Sequence, residues 1–556
     1  MASVREEAYE LLRAHGLVTV FGNPGSTELP FLAALPDDFR YVLGLQEAAV
    51  VAMAAGFARA RGGPALVNLH TAPGVGHALG ALFNARQDHD PLVVVAGQQA
   101  RAHITVEATL TNRDVVRLAE PHLKWAFEPP RAADVPHALA RAIATACAAP
   151  PGPVLLSVPM DDWTQAADTN LAQAARERRL EAASVPARGL VREIAESLAS
   201  AQNPALVAGP ELDSEAGHAA AVALAELLAM AVYAPPATGG SGIGFPESHQ
   251  LFRGVLPPAI GPLADALRGH DLVLVAGSAV FPYYPYLPGR PLPEGCRLLQ
   301  VTCDPDAAAR AIAGKAFVAD AAETLAAVVS ELRLLKNEGR LDVSSFVGRS
   351  RSSAQPVDPA TIVATAGEVS AGAERGVVAV GAACRALRAA APPDTAFVVE
   401  APSATLALRN HLRIDRPRSW FFTAGGGLGF GVPAAVGVKL AQPDRPVVAV
   451  VGEGSLQYTI QALWTAVREG LAVVVVVLRN DEYSILKWFG QLEGESEAPG
   501  LDLPGIDCLA LARGYGLAAE AVEGAEQLHA VVAGALARGD GPLLVEVPVE
   551  RGMAIA

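Results

Sequence analysis

A carboxylate and a carboxamide occupy matching places in the last third of the chain. Glu453 follows the apolar run 446–452 and sits between Gly452 and Gly454; Asn480 follows the apolar run 472–478, 27 residues further on. Short runs of this kind, apolar throughout, are expected as strands buried on both faces of a parallel sheet. In such sheets ligands gather where strands end and helices begin. Two neighbouring strands would then bring hard oxygen donors to one sheet edge, which suits Mg²⁺ shared with phosphate oxygens. The glycines beside Glu453 let a bulky anion approach the backbone, and Ser455 with the following helix N-terminus offers donors to it. Either half alone reads as an ordinary strand–helix turn. The pair at this spacing reads as a metal and phosphate site.

The first part of the chain offers three further candidates. The segment Gly22-Asn23-Pro24-Gly25-Ser26-Thr27-Glu28 follows the run 18–22, and Ser26 or Thr27 alone is a good helix N-cap. Glu47 follows the run 41–45 and opens an almost wholly apolar helix; in isolation it complements the helix dipole. His70 closes the run 65–70 and begins a glycine-rich loop through Gly76. An imidazole at a strand end is a candidate for moving protons near neutral pH.

These residues need a scaffold, and the chain supplies it. Apolar runs at 18–22, 41–45, 65–70, 91–98 and 153–159 alternate with helical patterns such as 48–60 and 135–148. The alternation resumes at 204–209, 231–234, 271–277 and 297–304, and again at 396–400, 446–452, 472–478 and 542–547. Strand followed by helix, many times over, predicts an α/β protein of three doubly wound parallel-sheet domains. Their expected bounds are 1–180, 187–340 and 360–556, with a polar, Ser-rich linker at 337–359 before the third. Of 556 residues, 51% are hydrophobic and 18% charged, enough for several cores. The net charge of −15 gives nucleic acid no electrostatic footprint. Five cysteines without a CxxC pair argue against a zinc ribbon or disulfide framework. The longest aliphatic run, 471–478, is far short of the roughly 20 residues that cross a bilayer. The N-terminal stretch reads as a charged amphipathic helix without a signal-peptide core. The expectation is a soluble, cytoplasmic protein with no nucleic-acid or membrane partner. Gly239-Gly240-Ser241-Gly242 does not complete a dinucleotide fingerprint, and neither a nucleophile elbow nor a P-loop occurs.

The paired motif, here GEG followed by RN, resembles the thiamine-diphosphate signature. Together with FGNPGSTELPFL, LQEAAVVAMAAGFARA, GQQARAHITVEATLTNRD, VPMDDW, GGGLGFGVPAAVGVKLA, QALWTA and PGLDLPGIDCLALARGYG, it resembles the thiamine-diphosphate-dependent 2-oxo acid decarboxylases and carboligases, the benzoylformate decarboxylases above all. The likeness runs from end to end and is weakest in the middle, where DLVLVAGSAVF and LLQVTCDP carry it. The resemblance implies pyrimidine-binding, central and diphosphate-binding domains in that order. It implies that Glu47 hydrogen-bonds N1′ of the aminopyrimidine, that the carbonyl of Gly426 accepts from the 4′-amino group, and that Leu428 wedges the cofactor into a bent shape. Glu453, Asn480 and the backbone oxygen of Glu482 would hold Mg²⁺. Gly452, Gly454, Ser403, Ser455 and Tyr458 would meet the diphosphate. Ser26 and His70 would contact the carboxylate and carbonyl oxygen of a 2-oxo acid. Asn23, Thr109, Leu110, Ile485 and Phe489 would line the substrate pocket. It further implies a homotetramer with each site shared between two subunits.

Four positions depart from the pattern. Glu453 stands where the family has Asp, one methylene shorter. Tyr284 falls where benzoylformate decarboxylases have a second active-site histidine, and a phenol, with an ordinary pKa of about 10, is a slower proton donor at neutral pH. Ile485 replaces a small residue, and Thr109 a leucine. The leading reading is a lyase releasing an aldehyde and CO₂. Tyr284 raises the alternative of a carboligase that forms 2-hydroxyketones. Glu453 alone favours a third, a cofactor-poor structural or regulatory homologue, against which Glu47, Ser26, His70 and Leu428 speak.

Overall fold

The computed structural model describes residues 2–180, 184–236, 241–342, 376–495 and 498–554. Most of the linker 337–359, the expected start of the third unit at 360, and Gly239-Gly240 lie outside them.

Among the described residues there are three six-stranded sheets, parallel throughout. The first comprises β1 (Thr19–Gly22), β2 (Arg40–Leu43), β3 (Ala65–Leu69), β4 (Leu92–Gln98), β5 (Trp125–Phe127) and β6 (Val154–Pro159), in the order β2-β1-β3-β4-β6-β5. The second comprises β7 (Pro204–Ala208), β8 (Ala231–Ala234), β9 (Phe252–Val255), β10 (Leu272–Ala276), β11 (Arg297–Thr302) and β12 (Lys315–Val318), in the order β12-β11-β10-β7-β8-β9. The third comprises β13 (Ala396–Glu400), β14 (Trp420–Phe421), β15 (Val447–Gly452), β16 (Val473–Arg479), β17 (Ala518–Ala521) and β18 (Leu543–Pro548), in the order β14-β13-β15-β16-β18-β17. Counted within each unit, the first and third sheets share one strand order.

The expected three parallel-sheet units are present, with a correction to the strand list. β5, β9, β12, β14 and β17 were not among the expected runs, and every one of them is an edge strand. An edge strand has one neighbour and a partly wet face, so it needs no continuous apolar run. β17, for instance, is mostly exposed (AAEA) and β14 is two residues long. A second correction concerns His70, which does not end a strand. β3 stops at Leu69, and His70 is the N-cap residue of the helix Thr71–Gln87.

The helix Glu47–Arg61 is buried on nearly every side, from Ala49 through Ala58. A helix apolar all round must be enclosed by protein. Its enclosure is the equally apolar helix Gly431–Ala441 of the third unit, and one core cluster spans both sheets. The two helices meet without room for a side chain: a Cβ at Gly437 would lie 1.9 Å from the carbonyl oxygen of Met53. Overpacking of this kind typically costs about 1–3 kcal/mol, because the helices would have to part. The buried guanidinium of Arg59 adds a polar tie. It pairs with Asp88 at 2.7 Å and Asp90 at 2.6 Å, and donates to the carbonyl oxygen of Phe422 at 2.6 Å.

Candidate active site

In the third sheet β15 and β16 are adjacent and in register, with Gly452 opposite Leu478. Their C-terminal ends therefore deliver Glu453 and Asn480 side by side. The backbone N–H of Asn480 donates to Glu453 Oε1 at 3.3 Å. Asn480 Nδ2 donates to Ser484 Oγ at 2.8 Å, and its Oδ1 accepts from the N–H of Glu482 at 3.2 Å. The Glu482 carboxylate is already committed, accepting from Ser484 Oγ at 2.6 Å and pairing with Lys487 at 2.6 Å. Burial raises its pKa, but the Lys487 and Ser484 hydrogen bonds outweigh this and hold it below the ordinary value. Glu482 can thus offer its backbone carbonyl while its side chain props the turn.

Glu453 is 2% exposed and, among the described residues, is paired with no Arg or Lys. Burial pushes its carboxyl above the ordinary value, against backbone N–H groups of Glu453 itself, Asn480 and Asp481. A buried acid without a cation partner, beside an amide oxygen and a free-standing turn, is a donor set that fits a hard divalent cation. The residues present therefore fit Mg²⁺ held jointly with a diphosphate. Gly452 is the N-cap of the helix Glu453–Tyr458; Gly454 and Ser455 are buried in its first turn, while Tyr458 is exposed.

A glycine-rich loop precedes the helix Gly431–Ala441. Gly426 has φ +74°, the left-handed region open to glycine, and lies exposed. Next to it, Gly427 is gripped by Asn84 of the first unit: Nδ2 donates to its carbonyl at 2.7 Å and Oδ1 accepts its N–H at 3.1 Å. Glu400, the last residue of β13, accepts from the N–H groups of Gly429 (2.7 Å), Phe430 (2.9 Å) and Gly431 (3.0 Å). Burial pushes its carboxyl up to about 7 against the pull of those donors. Leu428 sits half-buried between the two anchors, and Ser403 is half-buried with its carbonyl accepting from the N–H of Ala554 at 3.1 Å.

The first unit carries further ionisable groups. Glu47, buried at the start of its helix, accepts from Asn23 Nδ2 at 3.2 Å, and its other oxygen lies 3.2 Å from His77 Nδ1. His70 Nδ1 is 2.8 Å from Glu28 Oε2 and 3.2 Å from Thr27 Oγ1. Ser26, next to Thr27, is exposed. Tyr284 of the middle unit is 57% exposed and its ring packs on Phe489 of the third, centroids 4.6 Å apart. Ile485 lies one turn before Phe489 on the same helix, Ser484–Glu493. Thr109 is exposed and tied only through its carbonyl, which accepts from Gln99 Nε2 at 2.8 Å; Leu110 follows with φ +72°.

Hydrogen bonds thus join Glu453 with Asn480 and Glu482, Glu47 with Asn23, and His70 with the 25–28 turn, while Tyr284 packs on Phe489. Glu47 and His70 flank Gly74, where a Cβ would lie 3.4 Å from each. Glu47 bonds within the first unit and Glu453 within the third, and among the described residues no hydrogen bond or ion pair joins the two. A cleft of about 940 Å³ lies elsewhere, at the ends of β7, β10 and β11 beside His89 and Arg418. Sequence reasoning passed over Glu28, His77, Asn84 and Glu400. Glu400 carried the same signal as Glu453, an acid at the end of an apolar run. His77 lies two turns beyond His70 on one helix, a spacing that shares a face. Asn84 offered no signal, since its partner is 343 residues away.

Comparison with known proteins identifies the family. Residues 3–118 match the thiamine pyrophosphate enzyme N-terminal TPP binding domain, 191–328 the central domain and 401–547 the C-terminal TPP binding domain. The chain belongs to the thiamine pyrophosphate enzyme family. Within it, the chain is 46% identical over 550 residues to benzoylformate decarboxylase of Pseudomonas aeruginosa, with 99% of each covered. It is similar in structure to a thiamine diphosphate-dependent 4-hydroxybenzoylformate decarboxylase of Rhodococcus jostii RHA1 (TM-score 0.89, 42% identity, 99% of each chain). It is likewise similar to benzoylformate decarboxylase from Polynucleobacter necessarius (TM-score 0.88, 35% identity, 100% of this chain and 99% of that one).

Proposed function

We propose that the chain is a thiamine-diphosphate-dependent carboxy-lyase that converts a 2-oxo acid of the benzoylformate class into an aldehyde and CO₂. The observation that carries this reading is the end-to-end similarity to the Pseudomonas aeruginosa enzyme. When bound, thiamine diphosphate supplies the carbon nucleophile and electron sink that cleavage beside a 2-oxo group requires. Glu453, Asn480 and the Glu482 carbonyl would hold Mg²⁺; Ser403, Gly452, Gly454, Ser455 and Tyr458 would hold the diphosphate. Glu47, the Gly426 carbonyl and Leu428 would hold the rest of the cofactor. Asn23 fixes one oxygen of Glu47, so the carboxylate is oriented before it meets a proton. Ser26 and His70 would face the carboxylate and carbonyl oxygen of the substrate, within walls formed by Asn23, Thr109, Leu110, Ile485 and Phe489.

A carboligase activity is the second reading, and Tyr284 favours it. Its ring lies against Phe489 where proton return to the substrate carbon is expected. A phenol returns a proton slowly, which leaves time for a second aldehyde to add. The resemblance to the family is the ground for proposing also that each site is shared between two copies, within a homotetramer. Domain bounds of 1–180, 187–340 and 360–556 enclose the three sheets. No helix among the described residues is long and apolar enough to cross a membrane. The five cysteines are free thiols, as a reducing cytoplasm would leave them.

The test is a panel of aromatic and aliphatic 2-oxo acids, assayed for CO₂ and for aldehyde or hydroxyketone with and without thiamine diphosphate and Mg²⁺. Benzoylformate turnover only with both is expected. No CO₂ from any acid under saturating cofactor, with no rise in Tm on adding it, would sink the reading.

A further inference from the structure

Glu28 is a carboxylate with a fully buried side chain in a turn, and among the described residues its one ion-pair partner is His70. Its two oxygens are fully engaged. Oε2 accepts the N–H of Gly25 at 2.9 Å and faces His70 Nδ1 at 2.8 Å; Oε1 accepts from Thr27 Oγ1 at 2.7 Å. Both oxygens already accept hydrogen bonds from the turn, and a carboxylate in that accepting role offers Nδ1 lone pairs only. The contact to Nδ1 therefore requires a proton on that nitrogen. Thr27 imposes the same requirement. Its hydroxyl hydrogen is spent on Glu28, so toward Nδ1, 3.2 Å away, it presents a lone pair. Gly25 lets this happen, because a Cβ there would lie 2.0 Å from Nδ1.

We propose that Glu28, with Thr27, is the positioning residue of His70: it locks the Nδ1–H tautomer and turns Nε2 toward the substrate. The tautomer of a histidine is set by the hydrogen bond its other nitrogen makes. The proposal rests on the reading that His70 faces the 2-oxo acid. With Nε2 bare, His70 can accept a proton there and return it; with the other tautomer that nitrogen is blocked. Glu28 touches neither substrate nor cofactor and acts only through the ring.

Protein labelled with ¹⁵N-histidine, read as the difference between wild type and His70→Ala by solid-state NMR, reports the tautomer directly. The Nδ1–H form is expected in wild type and a mixture in Glu28→Gln; the Nε2–H form in wild type overturns the proposal whatever the variants do. In kinetics Glu28→Gln should lower kcat roughly 10- to 100-fold with KM changed much less, the range seen when an orienting partner is lost. Thr27→Val should give a smaller fall in the same direction. In a His70→Ala background Glu28→Gln should cost nothing further, since its only route is gone. An equal loss in both backgrounds means a structural role and overturns the proposal. If His70→Ala itself leaves turnover intact, the reading of His70 at the substrate fails, and the NMR tautomer still decides on Glu28.

Discussion

Glu28, six residues past β1, and Glu400, the last residue of β13, are both buried acids, and their two sheets have the same strand order. Glu28 grips a side chain, the imidazole of His70; Glu400 grips only backbone, three consecutive N–H groups. The difference repeats along both units. After the first four strands the first sheet presents Asn23, Glu47, His70 and Gln98; the third presents Glu400, the 425–428 loop, Glu453 and Asn480. One topology thus serves two chemistries. Alongside amides, the first unit offers Glu47 and His70, which could exchange protons; the third offers Glu453 and Asn480, oxygens that could hold charge in place. What assigns the task is the residue placed at the strand end.

The sharpest way to break this comparison is to remove the charge-holding oxygen. Glu453→Ala should abolish measurable binding of thiamine diphosphate with Mg²⁺ by calorimetry, and turnover with it. Glu453→Asp should bind as tightly as wild type or better, because charge and ligand type survive the shorter reach. If the Asp variant loses binding, the turn has been shaped around glutamate. On the proton-exchanging side, Glu47→Gln should lower kcat on the order of 10²- to 10⁴-fold while cofactor binding persists. Near-native turnover in that variant would erase the contrast between the units.

A smaller effect is expected at the seam between middle and third units. Tyr284→His should raise the ratio of aldehyde released to hydroxyketone formed, several-fold at fixed aldehyde concentration. An unchanged ratio with altered substrate preference would reduce Tyr284 to a wall of the pocket beside Phe489. The smallest effect concerns Glu400, whose carboxyl is pushed up to about 7 from an ordinary 4.5. A folded value above the unfolded one means a contribution fully present below about 4.5 and lost as pH rises through about 7. The Tm advantage of wild type over Glu400→Gln should therefore narrow between pH 5 and pH 8. A gap that stays level over that range would show the three N–H donors holding Glu400 ionised.

The central strands were legible because burial on both faces leaves an unbroken aliphatic run such as Val473–Leu478. Edge strands were not, since β12 or β17 can be half polar and still pair along one side. Glu453 and Asn480 were legible for the same reason, as polar residues closing such runs. His70 was visible, but not its role as a helix cap, because strand end and cap are one residue apart. Asn84 was beyond reach: a lone amide on a helix face acquires meaning only from a loop far along the chain. Glu28 lay in plain sight within a quoted motif, but the tight fold of the turn that aims it at His70 has no local signature.

The pair of hydrogen bonds between Asn84 and Gly427 also bears on how the protein is made. Its two halves lie 343 residues apart, so at synthesis rates of about 5–20 residues per second the second half appears roughly 20–70 s after the first. Until then the glycine loop lacks the partner that shapes it, and Asn84 waits on a finished helix with nothing to hold. A chain still on the ribosome can therefore complete its first sheet and yet offer no complete seat for a cofactor. The seat cannot be complete before synthesis has passed into the last third of the chain.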